Sequence, residues 1–187
     1  MRALAAFFMD IIETVVIAIA IFITVYLFLL QPHQVRGESM EPTFQDGQYI
    51  LTDKLSYRFH DPERGDVIVF KSPQNESIDF IKRVVGLPGE KVKLVGGRVV
   101  VINTSHPDGL TLNETYTNGA PTMPGTLLKE GDEYLVPSGQ YFVFGDNRNH
   151  SSDSREFGAI NKTSIIGRAW IRYWPIPAMT FIPGVQY

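Results

Sequence analysis

Cysteine is absent from the 187-residue chain, and histidine occurs only four times. The lack of cysteine excludes disulfide bonds, thiol nucleophiles and thiolate metal sites. The histidines, at positions 33, 60, 106 and 150, are far apart and form no metal-binding motif such as HExxH. A formal net charge of -3 provides no positive field for nucleic acid. We therefore expect no metal, no cofactor and no nucleic-acid partner.

The N-terminal part of the chain also lacks charge over a long stretch. From Thr14 to the end of the segment 11–30 no side chain is charged, and the segment reaches the ~20 residues that a helix needs to cross hydrocarbon. It ends in bulky residues and a proline instead of the small residues of a cleavage site. We predict a short tail at 1–10 and an uncleaved transmembrane anchor at 11–30. The alternative is a buried core helix.

After the anchor, short runs rich in valine, isoleucine and aromatic residues alternate with Gly, Pro, Asn and Asp. These runs cover 49–52, 66–70, 78–85, 92–95, 98–102, 140–144 and 165–173. No comparable segment has a helical apolar stripe, so we predict a mainly β fold over 31–187, an antiparallel sheet that is closed or nearly closed. Residues 103–137 hold most of the loop-type residues and are predicted as a β/loop insertion.

Lys82 is the first candidate for chemistry. Side chains alternate along a strand, so Lys82 shares one face of the predicted strand with Ile78, Phe80 and Val84. Burial among apolar neighbours lowers the pKa of an amine from ~10.4 by up to several units, and a neutral amine can accept a proton from a hydroxyl. The alternative is a lysine at a sheet edge, where its charge discourages pairing with other chains.

A second candidate is the polar segment 145–158, GDNRNHSSDSREFG, which follows an apolar strand. It concentrates arginine, aspartate and serine at a strand end, where loops held by a rigid sheet often carry catalytic groups. The segment alone fits a loop held by structural ion pairs equally well. Both interpretations stay open at this point.

Four sequence blocks together resemble the bacterial type I (leader) signal peptidases, a serine–lysine dyad family. The blocks are SMEPTF at 39–44, RGDVIVF at 64–70, KRVVGLPGE at 82–90 and GDNRNHSSDSR at 145–155, in this order behind an anchor. The segment GRAW at 167–170 fits the same pattern. The resemblance implies an antiparallel β peptidase domain that removes signal peptides from exported preproteins after small residues.

The resemblance also assigns the central roles. Ser39 matches the family's nucleophile and Lys82 its general base, since a serine hydroxyl attacks well only when a nearby group takes its proton. Ser151 matches the serine that hydrogen-bonds and orients the lysine. The backbone N–H of Ser39 is the implied oxyanion donor, and Gly37 stands where some members place a serine with a second donor.

Further residues are assigned to the surroundings of the site. Asp153 and Arg155 match a supporting ion pair, and Asp146 and Arg148 look like further structure at the rim. Arg83 should face away from the lysine and serve packing or charge pairing. Three residues beside the dyad in sequence are expected to line the substrate pocket, with core packing as the alternative: Met40, Phe80 and Ile81.

The resemblance implies partners and a location as well. The partners are preproteins with signal peptides and the lipid bilayer. The location is the bacterial cytoplasmic membrane, crossed once, with the N-terminus in the cytoplasm and the β unit outside. Arg2 before the anchor and Arg36 after it are too few to fix this orientation by charge.

Three other interpretations remain. A soluble self-cleaving repressor-type peptidase uses the same chemistry, but the anchor and the missing DNA-binding half oppose it. A membrane-tethered adhesion module is suggested only by the tripeptide RGD at 64–66. A serine–histidine mechanism through His150 would replace the lysine as base.

Overall fold

The computed structural model describes residues 2–185 and 187. Its first element is helix α1 (Arg2–Phe28), which contains a stretch, Ala6–Tyr26, with a mean hydropathy of 2.4. By length and composition this helix is able to cross a bilayer. It begins at Arg2 instead of residue 11, and it ends before Leu30 because Leu30 pairs with Asp53 as the first residue of a strand.

Most of the rest of the described chain consists of antiparallel β-strands. The strands are β1 (Leu30–Gln34), β2 (Tyr49–Asp53), β3 (Val67–Lys71), β4 (Asp79–Gly86), β5 (Lys91–Val95), β6 (Arg98–Ile102), β7 (Leu110–Thr111), β8 (Glu133–Leu135), β9 (Gln140–Phe144), β10 (Ile160–Asn161), β11 (Ile165–Trp174) and β12 (Thr180–Phe181). The larger sheet has the order β1-β2-β11-β3-β4-β9-β10, with β12 added to β11. The prediction of a mainly antiparallel β fold behind an apolar helix is confirmed.

A second, smaller sheet interrupts the larger one between β4 and β9. Its strands have the order β7-β6-β5-β8. It therefore runs from Lys91 to Leu135 and begins before the predicted insertion at 103–137, because β5 and β6 pair with each other and not with the main sheet. The buried face of this hairpin packs against Phe142 and Phe144 of β9, which joins the two sheets through one apolar cluster.

The central strands of the larger sheet are largely buried on both faces. Val67 to Phe70 of β3 are all buried, the pattern of a strand covered on both sides. In β4 burial increases along the strand, and every residue from Lys82 to Gly86 is buried. A lysine in this position is unusual, because charged groups are rarely buried without a partner.

Two irregular segments flank these strands. The turn after β1 is held by Met40 and Phe44, which are fully buried in one apolar cluster. The segment after β9 contains the short helix α2 (Ser154–Phe157), which was not predicted because four residues are too few to show a helical period. Asp153 caps this helix by accepting a hydrogen bond from the Arg155 N–H at 3.2 Å.

Candidate active site

The side chains of Ser39 and Lys82 meet in the structure. Ser39 lies in the turn after β1, and Lys82 lies in the middle of β4. The Lys82 Nζ donates a hydrogen bond to Ser39 Oγ at 2.6 Å across 43 positions of sequence. When the amine is neutral, the same contact lets it accept the hydroxyl proton. The pair therefore has the geometry that a nucleophile and its general base require.

Lys82 is almost completely shielded from water. Its exposed fraction is 4%, and its Nζ lies 5.5 Å from the ring centre of Phe80. Burial lowers the pKa of Lys82 to about 8, while the carboxylates of Asp153 and Asp146 act in the opposite direction. With this pKa about a tenth of the lysine is neutral at pH 7.

Ser39 and Lys82 open into a cleft with a volume of about 320 Å³. One wall is the segment 33–36, and the other is the segment 78–82. Asp79 to Arg83 of β4 pair with β3 on one side, but the ladder with β9 on the other side begins only at Arg83. Within the described residues, the backbone before Arg83 therefore has no strand partner on that side, and an extended peptide could pair there.

A polar contact connects the two walls of the cleft. His33 Nε2 lies 3.3 Å from Asp79 Oδ2, and His33 Nδ1 contacts Thr52 Oγ1 at 2.9 Å. Burial lowers the pKa of His33, and the charge of Asp79 opposes this shift. The pairing of His33 with Asp79 could not be predicted from sequence, because the two residues become neighbours only when β1 and β4 face each other across the cleft.

Arg83, the neighbour of Lys82, is paired with Asp146. Arg83 Nε donates to Asp146 Oδ1 at 2.8 Å and Nη2 donates to Oδ2 at 2.6 Å, while the Thr43 hydroxyl donates to the same carboxylate at 2.5 Å. Both charged side chains are buried. Asp146 therefore does not lie at the rim of the site. It connects β4, the segment after β9 and the turn that carries Ser39.

Arg148 is also buried and not at the rim. It donates to both carboxylate oxygens of Glu114, at 2.5 and 2.7 Å. Glu114 belongs to the insertion, so this pair connects the insertion to the segment after β9. Asp153 and Arg155, by contrast, pair with each other through two hydrogen bonds of 2.8 Å, and Asp153 also accepts from the Gly145 N–H at 3.0 Å.

Ser151 lies close to the site but does not contact Lys82 through a hydrogen bond. Its Oγ is buried and, within the described residues, has no hydrogen-bond partner. It packs against Gly145 so closely that a side chain at position 145 would collide with Ser151 Oγ and with the carbonyl oxygen of Ser39. The orienting role of Ser151 stays a prediction.

The three predicted pocket residues have different locations. Phe80 and Ile81 line the cleft. Met40 instead is fully buried in the cluster with Phe44 and does not belong to the lining, because the turn directs its side chain into the core.

A larger groove, about 600 Å³ in volume, lies beside the smaller sheet, between 96–98 and 111–121. Its lining residues contain no serine, lysine or histidine, so the candidate site is the smaller cleft. Among the residues that the structure describes, no three histidine or carboxylate side chains form a group able to hold a metal ion.

The family model described as "Signal peptidase, peptidase S26" matches residues 8–174. The chain belongs to the peptidase S26 family of signal peptidases. Membership makes it a serine peptidase and confirms the predicted family. The individual roles of Ser39, Lys82 and their neighbours are a separate matter and remain predictions.

Curated relatives from several bacteria match this peptidase over most of its length. It is 36% identical over 170 residues to a probable signal peptidase I-2 of Synechocystis, with 88% of this chain and 72% of that one covered. It is 37% identical to the signal peptidase I of Leptolyngbya laminosa, with 90% and 80% covered. A solved signal peptidase I of Enterococcus faecalis aligns at 31% identity over 58% of this chain and 97% of that one, with a TM-score of 0.47.

We predict that Lys82→Met leaves the peptidase folded and at least as stable as the native chain at pH 7. Lowering the lysine pKa from 10.5 to about 8 means that the folded state holds the ammonium at a cost of up to about 3 kcal/mol, which methionine avoids. Between pH 8 and pH 10.5, about the folded and unfolded pKa values of Lys82, the unfolded chain with Lys82 binds more protons than the folded chain. The stability of the chain with Lys82 therefore rises with pH, and the stability advantage of the methionine variant shrinks.

Urea unfolding of the detergent-solubilised chain at pH 7 and pH 10 measures this difference. The control is Lys91→Met, at a lysine with a 49% exposed side chain on the smaller sheet, which should show no comparable change with pH. A Lys82→Met chain that fails to fold would mean that the ammonium has a structural role.

Proposed function

We propose that the chain is a membrane-bound endopeptidase that cleaves N-terminal signal peptides from exported preproteins, with Ser39 as nucleophile and Lys82 as general base. One observation carries this proposal: the buried amine of Lys82 lies 2.6 Å from the hydroxyl of Ser39 at the side of an open cleft. Family membership indicates the type of reaction, and this contact indicates which two groups perform it.

The chemistry follows from the two protonation states of the lysine. The neutral amine of Lys82 takes the proton of Ser39 Oγ as the oxygen attacks the scissile carbonyl carbon, and the Ser39 N–H stabilises the negative charge on the carbonyl oxygen. The ammonium then gives its proton to the leaving amine. A water molecule, deprotonated by the same amine, releases the signal peptide from the acyl-enzyme and restores the hydroxyl.

The cleft suits an extended segment with small side chains. The free side of β4 before Arg83 offers backbone groups for an added strand. Phe80 and Ile81 supply apolar walls, and the volume of about 320 Å³ is small for a peptide segment with large side chains. This supports cleavage after small residues.

The bilayer is the second proposed partner. The apolar side chains of α1 from Phe7 to Phe22 are largely exposed, which suits a helix in lipid. We place the N-terminus in the cytoplasm and the β unit outside, at the face of the bacterial cytoplasmic membrane where exported preproteins emerge.

Protease added to spheroplasts should digest the β unit. Protection of this unit from the protease would indicate the opposite orientation.

The adhesion alternative has little support from the tripeptide 64–66. Arg64 is paired with Glu90 at 2.6 Å, and Asp66 is 6% exposed. The tripeptide therefore leads into β3 and is not displayed on the surface.

His150, the alternative base, is exposed.

Ser39→Ala should reduce cleavage of a preprotein by at least about a thousandfold, because it removes the nucleophile while the cleft stays intact. Lys82→Met should reduce cleavage to a similar degree. The measurement is release of the mature protein by the purified full chain in detergent micelles. Ser105→Ala, at an exposed serine of the insertion, is the matched control and should cleave at the native rate.

His150→Ala distinguishes the two possible bases in the same assay. It should retain activity. If it loses activity while Lys82→Met cleaves normally, the lysine assignment is wrong and a serine–histidine mechanism takes its place.

The pH dependence of cleavage should follow the deprotonation of Lys82. Only the neutral amine accepts a proton, so kcat/KM should increase about tenfold per pH unit below the pKa of about 8 and level off above it. Initial rates at constant ionic strength give the midpoint. A midpoint near 6.5 would indicate a histidine as the base.

A further inference from the structure

The segment after β9 contacts the backbone of the proposed nucleophile through Asn147. The Asn147 N–H donates to the carbonyl oxygen of Ser39 at 3.1 Å. The Asn147 side-chain amide, through Nδ2, donates to the carbonyl oxygen of Glu38 at 3.1 Å. One residue thus binds two consecutive carbonyl groups that lie more than 100 positions earlier, since the second contact spans 109 residues.

The Glu38 carbonyl belongs to the same peptide unit as the Ser39 N–H. A trans peptide unit is planar, and its C=O and N–H groups point in opposite directions. A hydrogen bond that fixes the direction of the Glu38 carbonyl therefore fixes the direction of the Ser39 N–H. It also polarises the unit, which makes this N–H a better donor.

The neighbours of Asn147 support the same turn at other points. Gly145 packs against the Ser39 carbonyl without room for a side chain. Asp146 accepts the hydroxyl hydrogen of Thr43 at 2.5 Å. These contacts hold the turn in place, but of the three residues 145–147 it is Asn147 whose hydrogen bond acts on the peptide unit that supplies the proposed oxyanion donor.

We propose that the Asn147 side chain is a positioning residue that orients the Glu38–Ser39 peptide unit, so that the Ser39 N–H points at the oxygen that becomes negative during cleavage. This inference rests on the proposed function, because it assigns a purpose to a donor of that reaction. Asn147 is not among the residues that line the cleft, and in this role it acts only through the Glu38–Ser39 peptide unit.

The test compares Asn147→Ala with Asn149→Ala, an exposed asparagine of the same segment. In Asn147→Ala the backbone N–H remains, so the link to the Ser39 carbonyl persists and the chain should fold. We expect kcat for a signal-peptide substrate to fall at least about tenfold, with KM unchanged within about twofold, because the lost orientation matters only once negative charge develops. Asn149→Ala should behave as the native chain.

Two readouts separate this role from a general structural one. The pH midpoint of kcat/KM in Asn147→Ala should equal the native midpoint, since Lys82 is not affected. The first probe is a substrate-like peptide aldehyde. Ser39 Oγ adds to the aldehyde carbon, and the hydroxyl proton passes to Lys82. This aldehyde should bind to Asn147→Ala at least about tenfold more weakly than to the native chain. The matching peptide alcohol cannot form this adduct and should bind to Asn147→Ala as tightly as it binds to the native chain.

The outcomes distinguish this inference from the proposed function. Native kcat in Asn147→Ala, an equal loss of affinity for aldehyde and alcohol, or a shifted pH midpoint would each overturn the positioning role. If Asn147→Ala does not fold, Asn147→Asp, which has the same shape but no side-chain donor, is measured in the same way. Full activity of Ser39→Ala would instead overturn the proposed function itself.

Discussion

The site depends on one constraint, the exclusion of water from the amine of Lys82. An amine in solvent is almost fully protonated at neutral pH and cannot accept a proton from a serine. In this chain β4 carries the lysine into the interior, so that burial lowers its pKa to about 8. The same placement brings its Nζ within 2.6 Å of Ser39 Oγ. The burial of Lys82 and its contact with Ser39 thus both follow from the position of Lys82 on β4.

The carboxylates near the lysine oppose this effect of burial on its pKa. Asp146 and Asp153 both favour the charged lysine, but each is already paired, the first with Arg83 and the second with Arg155. A paired carboxylate offers less net charge to a third group. The two buried ion pairs therefore hold the segment after β9 in place, and within the described part of the chain the amine of Lys82 forms no ion pair with a carboxylate.

The sequence predicts those features that follow from local periodicity or from family motifs. The alternation along 78–85 correctly placed Lys82 beside Phe80, and the apolar runs located the central strands. The partner of Asp146 could not be predicted, because Arg83 lies 63 positions away and only the fold brings them together. The contact of Asn147 with the Ser39 turn was missed for the same reason, although the residue lies inside a motif that had been identified.

The position of the insertion explains how a second sheet coexists with a site that needs exact placement. The smaller sheet enters the chain after β4 and leaves it before β9, yet Arg83 still pairs with Phe144, and Val84 with Val143. The two strands remain neighbours because their own hydrogen bonds align them, whatever length of chain lies between. Lys82 on β4 and the start of the polar segment after β9 thus lie on neighbouring strands although the inserted sheet separates them in sequence. Among the residues that the structure describes, Arg148 and Glu114 form the one pair of opposite charges between the insertion and that segment.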